Sequence, residues 1–186
     1  MARNLTFAAF FIAITSASTN ADVLRGTGDS MNFDLGYGIE VNEGSTLQRE
    51  WVIVNDDRLP VSLTSFKADI RLDDRNWTYD IYYYVEVTED IQAIEVRFIP
   101  FDIWGESKRT LSATDIQDIG AGENSFSSQW RILSENDALQ HYAILGYVAQ
   151  VKLTSGQILR ADVDAVVEEA RRFSDDFSSA DLSTED

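Results

Sequence analysis

The alternation of hydrophobic and polar positions is clearest in the middle of the chain, over residues 91–105. Ile94, Val96 and Phe98 fall on one side of this alternation, and charged residues lie between them. A period of two over this length predicts a half-buried β-strand. From Phe98 to Trp104 the sequence becomes almost continuously apolar, which predicts a strand end that is covered on both faces.

Similar alternation predicts further strands, separated by short segments of Asn, Asp, Gly and Pro that favour turns. They are residues 47–54, 61–72, 77–87, 110–112, 114–119, 125–133, 144–153 and 158–161. Leu63 is out of phase with Phe66, which predicts a bulge near Thr64 and Ser65. Because no crossover helices alternate with these strands, the pattern favours an antiparallel β-sandwich over a parallel α/β sheet.

The last element has helical spacing. Apolar side chains from Val163 to Phe177 form one stripe, with charged residues opposite, which predicts a C-terminal amphipathic α-helix over residues 162–177. Asp162 or Asp164 is suited to cap its N-terminus. The remaining residues, 178–186, form an acidic, serine-rich tail that we expect to fray.

The N-terminal segment has the features of an export signal. Arg3 precedes a short apolar run, 5–14, and small residues follow, so we predict a signal peptide over residues 1–21. The run is too short to span a bilayer. Residues 22–44 are rich in glycine and are expected to form an arm or an edge strand. The β-sandwich is then expected over residues 45–161.

Composition narrows the possible functions. The chain has no cysteine, one histidine (His141) and a net charge of −17. Thiolate chemistry, disulfides and a zinc site rich in Cys or His are therefore excluded. The acidic charge makes nucleic acid a poor partner, and the mature chain has no apolar segment long enough for a membrane span.

One motif carries a family resemblance. The sequence Phe98-Ile99-Pro100-Phe101-Asp102, followed by Gly105, resembles FxLYD-type domains, which are small immunoglobulin-like sandwiches of exported bacterial proteins. Phe101 stands where the motif has Tyr, and Pro100 stands where it has Leu. Positions farther along the chain that also fit are Leu111, Ile119, Gly122 and Phe126. The resemblance implies an extracytoplasmic interaction or structural module without catalytic residues, and the fold class becomes mainly β, an antiparallel immunoglobulin-like β-sandwich with a C-terminal amphipathic α-helix.

Catalytic chemistry finds little support in the residues. His141 lies four residues after Asp137, but no serine occupies a Gly-x-Ser-x-Gly turn. A hydrolase with a carboxylate pair would use Asp102. Burial beside Phe101 would raise the pKa of this carboxyl group. We instead expect Asp102 to accept hydrogen bonds from backbone amides in the turn that ends at Gly105. We therefore predict no catalytic residue and a protein that is not an enzyme.

No metal site or cofactor is predicted. Calcium suits an exported, acidic chain best, and residues 55–57 and 73–74 are two acidic loops. Neither loop matches the Asp-x-Asp-x-Asp-Gly pattern of a calcium loop, so solvated turns are the preferred interpretation.

The most aromatic strand supplies the candidate binding residues. If Trp77 faces the core, Tyr82 and Tyr84 lie on the opposite face, where exposed rings suit a partner protein or a sugar. The alternative is that the C-terminal helix or the N-terminal arm covers this face. A sugar site would use Tyr82 and Tyr84, with Trp77 as an optional third ring.

The sequence therefore favours an exported protein, periplasmic or secreted, that binds an envelope or extracellular protein. A carbohydrate-binding module is the alternative, and a hydrolase with a carboxylate pair is the weaker one. Exposed aromatic side chains in a line would favour the second, and a cleft with two close acids would favour the third.

Overall fold

The structure is a computed structural model that describes residues 21–27, 31–32, 49–73, 76–132 and 134–183. The predicted signal peptide 1–21, except for Ala21, lies outside the described residues, as does most of the predicted arm 22–44. The strands in the described part are β1 (Ala21–Thr27), β2 (Met31–Asn32), β3 (Glu50–Asp56), β4 (Val61–Asp73), β5 (Asn76–Val87), β6 (Ile91–Asp102), β7 (Leu111–Ile119), β8 (Gly122–Ile132), β9 (His141–Leu153) and β10 (Ile158–Arg160). The helices are α1 (Glu135–Leu139), α2 (Asp164–Ala170) and a 3-10 helix (Ser179–Leu182).

The strands form two sheets. The large sheet has the order β1-β3-β9-β6-β7, with β10 paired to β9, and the small sheet has the order β2-β4-β5-β8. Most neighbouring strands are antiparallel, but β3 runs parallel to β9 and β2 runs parallel to β4. The expected purely antiparallel pairing is therefore wrong at these two positions. A strand pattern shows which residues share a face, but it does not show which distant strand becomes the neighbour.

The main core lies between the two sheets. Inward residues of β5 and β6 meet there, and Tyr83 and Phe98 are fully buried with their ring centroids 5.6 Å apart. The mainly β fold and the packing of two sheets as a β-sandwich are confirmed. The bulge is also confirmed, since the register of β4 against β5 shifts between Leu63 and Ser65.

A second apolar cluster covers the outer face of the large sheet. Val166 and Ala170 of α2 pack there with Phe101 of β6. Helix α2 ends at Ala170, so the predicted helix 162–177 is too long, although Phe177 continues the same apolar layer and is 1% exposed. The N-cap is Val163, not either of the aspartates proposed for it.

The C-terminal tail is packed where fraying was expected. Leu182 is 4% exposed, and its carbonyl accepts a hydrogen bond from Arg97 Nη1 at 2.9 Å. The hydroxyl of Thr110 donates to the carbonyl of Asp181 at 3.1 Å. The segment through Ser183 is therefore part of the layer on the large sheet.

Strand β6 ends earlier than the sequence suggested. It ends at Asp102, and the next two residues, Ile103 and Trp104, are 38% and 74% exposed. The expectation of a covered strand end is wrong for these two residues, because the chain leaves the sheet in a tight turn after Asp102.

Candidate binding face on the small sheet

The outer face of the small sheet presents two tyrosines side by side. Tyr82 and Tyr84 of β5 are 44% and 43% exposed. They point away from the core because Tyr83 and Val85, which alternate with them, are fully buried. Helix α2 packs on the large sheet, so it does not cover this face.

Three serines and one lysine flank the two rings. Across the strands, Tyr84 lies between Ser65 and Ser125, and Tyr82 lies between Lys67 and Ser127. Two positions along a strand are roughly 6.6 Å apart, so the rings form a short ridge above a low, hydroxyl-lined surface. The alternation in β5 predicted that the two rings share this outer face. The registers with β4 and β8 place the serines beside them.

Trp77 does not belong to this ridge. It is 7% exposed and lies in the main core, at the end of β5 beside Ile132. Trp77 therefore occupies the core position that the alternation predicted. A sugar site that combines Trp77 with Tyr82 and Tyr84 does not form.

A paired charge network adjoins Tyr82 on the same face. Asp69 of β4 lies directly across from Asp80 of β5. Lys67 Nζ and Arg71 Nη2 are each 3.0 Å from Asp69 Oδ2, and Arg71 Nε is 3.5 Å from Asp80 Oδ2. Gln129 Nε2 donates to Asp80 Oδ1 at 2.6 Å. The hydrogen bond to Asp69 raises the pKa of Arg71 above its usual value. The ion pairs with Lys67 and Arg71 balance the charges of the two acids.

A shallow polar hollow opens between this network and the tyrosines. It has a volume of about 380 Å³ and is lined by Arg71, Asp80, Tyr82, Ser127, Ser128 and Gln129. Sequence reasoning missed Arg71, Asp80 and Gln129. These residues come from three strands, and only the cross-strand register brings them together.

The turn after β6 holds Asp102 in a structural role. Oδ1 of Asp102 accepts hydrogen bonds from the backbone amides of Trp104 at 2.8 Å and Glu106 at 2.9 Å. Gly105 completes the turn with φ of 84°, which favours glycine. Burial alone would raise the pKa of Asp102, but the Lys108 ammonium and these two amides outweigh burial and lower it. The raised pKa that a general acid would need is therefore absent at Asp102.

His141 is a core residue. It begins β9, is 3% exposed, and its Nδ1 lies 3.0 Å from the hydroxyl of Tyr79. Burial, with a smaller contribution from the charge of Arg49, lowers the pKa of His141 to about 3. The imidazole is neutral and shielded from solvent, which does not suit a general base acting on a substrate.

The first acidic loop is occupied by internal contacts. Oδ1 of Asn55 accepts from the backbone amide of Leu63 at 2.8 Å, and Asp56 binds Arg58 and the amide of Asp162. In the second loop, 73–74, Asp74 and the side chain of Asp73 lie outside the described residues. Among the residues that are described, no group of three or more His, Asp and Glu side chains could hold a metal ion.

Two further sets of apolar side chains are exposed. One comprises Ile103, Trp104 and Leu139, and the backbone amide of Ile103 donates to the carbonyl of Gln140, the residue after Leu139. The other is a groove on the large sheet between Ile116, which is 83% exposed, and Ile158, which is 49% exposed. Sequence reasoning placed Trp104 and Ile116 in strands and did not predict their exposure.

Comparison with known protein families, with curated proteins and with solved structures finds no match. In the parts of the chain that the structure describes, no helix is both long and apolar enough to cross a membrane.

Proposed function

We propose that this chain is an exported, non-enzymatic β-sandwich of the immunoglobulin-like type that binds a partner protein. Its place is the periplasm or the extracellular space, and its binding surface is the face around Tyr82 and Tyr84. The observation that carries the proposal is the exposure of both rings, 44% and 43%, on one face of a central strand.

The composition of this face supports a protein partner. Tyrosine supplies a large, rigid contact area at low entropic cost, and serine supplies adaptable hydrogen bonds, which is the combination found in antibody paratopes. Here Tyr82 and Tyr84 are bordered by Ser65, Ser125 and Ser127. The ridge they form suits insertion into a complementary hollow on a partner.

The charges of the face also suit this role. The chain carries a net charge of −17, but next to the tyrosines Lys67 and Arg71 neutralise Asp69 and Asp80. A partner that approaches beside Tyr82 therefore meets paired charges, whereas Glu86 and Glu123 make the end of the face beyond Tyr84 acidic. Arg71 and Lys67 are each 45% exposed in their side chains, so both can contact a partner from the rim.

A carbohydrate ligand is the second candidate, and the polar hollow beside Tyr82 favours it. The planar groups of Arg71, Asp80 and Gln129 converge there next to an exposed aromatic ring. Sugars bind by stacking their C–H faces on aromatic rings while planar side chains bond the hydroxyls. The hydrolase alternative has weaker support, since Asp69 and Asp80 face each other but are both paired with Arg71.

The test is capture of partners from an extract of the native envelope by the tagged protein. We expect one stoichiometric protein partner that the double variant Tyr82→Ala/Tyr84→Ala no longer binds when both proteins are purified. Trp104→Ala is the matched control, because it removes an aromatic ring that is 74% exposed at another site.

Other outcomes redirect the proposal. Retention on polysaccharide, lost in Tyr82→Ala and in Gln129→Ala, would establish the carbohydrate candidate. A protein partner that binds the double tyrosine variant unchanged would rule out this face as the interface.

A further inference from the structure

The edge of the small sheet is open along β8. Strand β8 pairs with β5 over eleven consecutive positions, from Gly122 to Ile132, without a bulge. On its other side no strand of the described chain pairs with it. Natural edge strands are usually protected by charged side chains, Pro, a bulge, short length or a covering element. Strand β8 has no Pro, Lys or bulge, and its two charged residues, Glu123 and Arg131, lie near its ends. Within the described chain, the backbone groups along its centre are therefore available for pairing.

The inward side of β8 is incompletely covered. Phe126 and Trp130 point toward the core but are only partly buried. Phe126 stacks on Tyr83 with ring centroids 5.6 Å apart. The ring centroids of Trp130 and Phe98 are 6.2 Å apart. A strand added beside β8 would remove the remaining apolar surface of both rings from water, which favours association.

The outward side of β8 carries a self-complementary charge pattern. Glu123 and Arg131 are both exposed, and each lies one residue from an end of the strand. When two copies of β8 pair antiparallel with full overlap, Gly122 lies opposite Ile132 of the second copy. The same register places Glu123 opposite Arg131 of the second copy, twice in the dimer.

Neighbouring strands extend this pattern. Glu123 lies beside Glu86 of β5, an unfavourable like-charge pair, while Arg131 lies beside Thr78, which has Arg71 on its other side. One end of the face therefore carries two glutamates, and Arg131 adds a positive charge at the other end, where Arg71 is already paired with Asp69 and Asp80. Antiparallel pairing brings the two glutamates of each copy toward Arg131 of the other, which is the arrangement that complementary interfaces use.

We propose that β8 is a dimerisation edge through which two copies of this chain pair antiparallel. The two four-stranded small sheets then form one continuous sheet. In this pairing Ser127 lies opposite Ser127 of the second copy. On the neighbouring strand β5 of each copy, Tyr82 lies beside Ser127. The dimer therefore presents both tyrosine ridges on a single face.

One edge strand of the large sheet, β7, does not suit self-pairing. Full antiparallel overlap of β7, Leu111–Ile119, would place Asp115 opposite itself. Like charges directly opposite are destabilising, so the charge pattern selects β8 over β7.

The test is the oligomeric state of the purified protein by sedimentation equilibrium at about 0.15 M salt, where the Debye length is roughly 8 Å and repulsion between the acidic chains is screened. We expect a dimer. Because each reversal turns two attractive pairs into repulsive ones, Glu123→Arg and Arg131→Glu should each weaken dimerisation at least about tenfold. An equimolar mixture of the two variants should recover the dimer, since the basic edge of one then meets the acidic edge of the other.

Matched controls change the same charge elsewhere. Asp118→Arg on β7 and Arg160→Glu on β10 are exposed positions, and we expect both to remain dimers. Circular dichroism and thermal unfolding establish that all four variants fold. A wild-type monomer at about 100 µM, or a dimer that neither Glu123→Arg nor Arg131→Glu weakens, would overturn the proposal. No binding partner is used, so the outcome is independent of the proposed function.

Discussion

The ammonium of Lys108 lies 2.7 Å from Oδ2 of Asp102, whose side chain is 1% exposed. With the amides of Trp104 and Glu106 on Oδ1, this carboxylate holds the turn that ends β6, which pairs with both β7 and β9. The exposed ring of Trp104 is presented by this turn, so a buried charge fixes the position of a surface side chain.

Asp102→Ala should therefore destabilise the protein strongly. It leaves two backbone amides without their acceptor and removes the nearest carboxylate from the Lys108 ammonium, and breaking such a buried pair costs about 3 kcal/mol. Asp102→Asn keeps one acceptor oxygen for the amides and should cost about half as much. The measurement is urea-induced unfolding, with Glu106→Gln as the control. Glu106 is 74% exposed and 3.4 Å from Lys108, so its loss should change the free energy of unfolding by less than about 0.5 kcal/mol.

Acid should destabilise the protein through His141. The folded state lowers the pKa of His141 to about 3, whereas the unfolded chain binds a proton near pH 6.5. Between these values the unfolded state carries more protons, so stability falls as the pH is lowered, by up to about 1.4 kcal/mol per pH unit for this one group. His141→Gln should flatten the dependence between pH 6.5 and 4.5. An unchanged slope in the variant would show that other groups cause the loss.

The sequence predicted which residues face the core better than it predicted which strands and helices pack against each other. The alternation in β5 gave the inward and outward sets correctly, because burial on one face imposes a period of two. Whether the C-terminal helix covered Tyr82 and Tyr84 depended on where that helix packs. The helix packs on the outer face of the large sheet because that face is apolar at Phe101 and Tyr147. Local periodicity shows that such a face is apolar, but it does not show which element covers it.

The polar half of the candidate site was beyond sequence reasoning for the same reason. Gln129 reaches Asp80 through the register of β8 against β5, across 49 residues of chain. Trp104 was misplaced for a different reason. Its apolar neighbours suggested burial, but the buried carboxylate of Asp102 turns the chain outward before Trp104.

A glycine in β9 lies at a tightly packed point between the sheets. A Cβ atom on Gly146 would lie 2.9 Å from Leu63 Cδ2 and 3.1 Å from the Phe98 ring. Both neighbours are fully buried, so Gly146→Ala should cost about 1–3 kcal/mol through overpacking. Gly120→Ala is the matched control, because its nearest atom is 3.9 Å away. Chemical denaturation compares the two, and equal midpoints would contradict the tight packing at Gly146.

The C-terminal segment should contribute to stability. Leu182 is 4% exposed in the layer that covers the large sheet, and its carbonyl accepts from Arg97, which also bonds Glu95 at 2.6 Å. Leu182→Ala removes buried apolar surface and should lower the free energy of unfolding by about 2–3 kcal/mol. Leu139→Ala makes the same chemical change at a side chain that is 40% exposed and should cost under about 1 kcal/mol, because less apolar surface is lost from burial. Thermal and urea unfolding of both variants decide the point: similar losses would mean that the tail frays as its acidic composition suggests, and a larger loss for Leu182→Ala would mean that the tail is part of the fold.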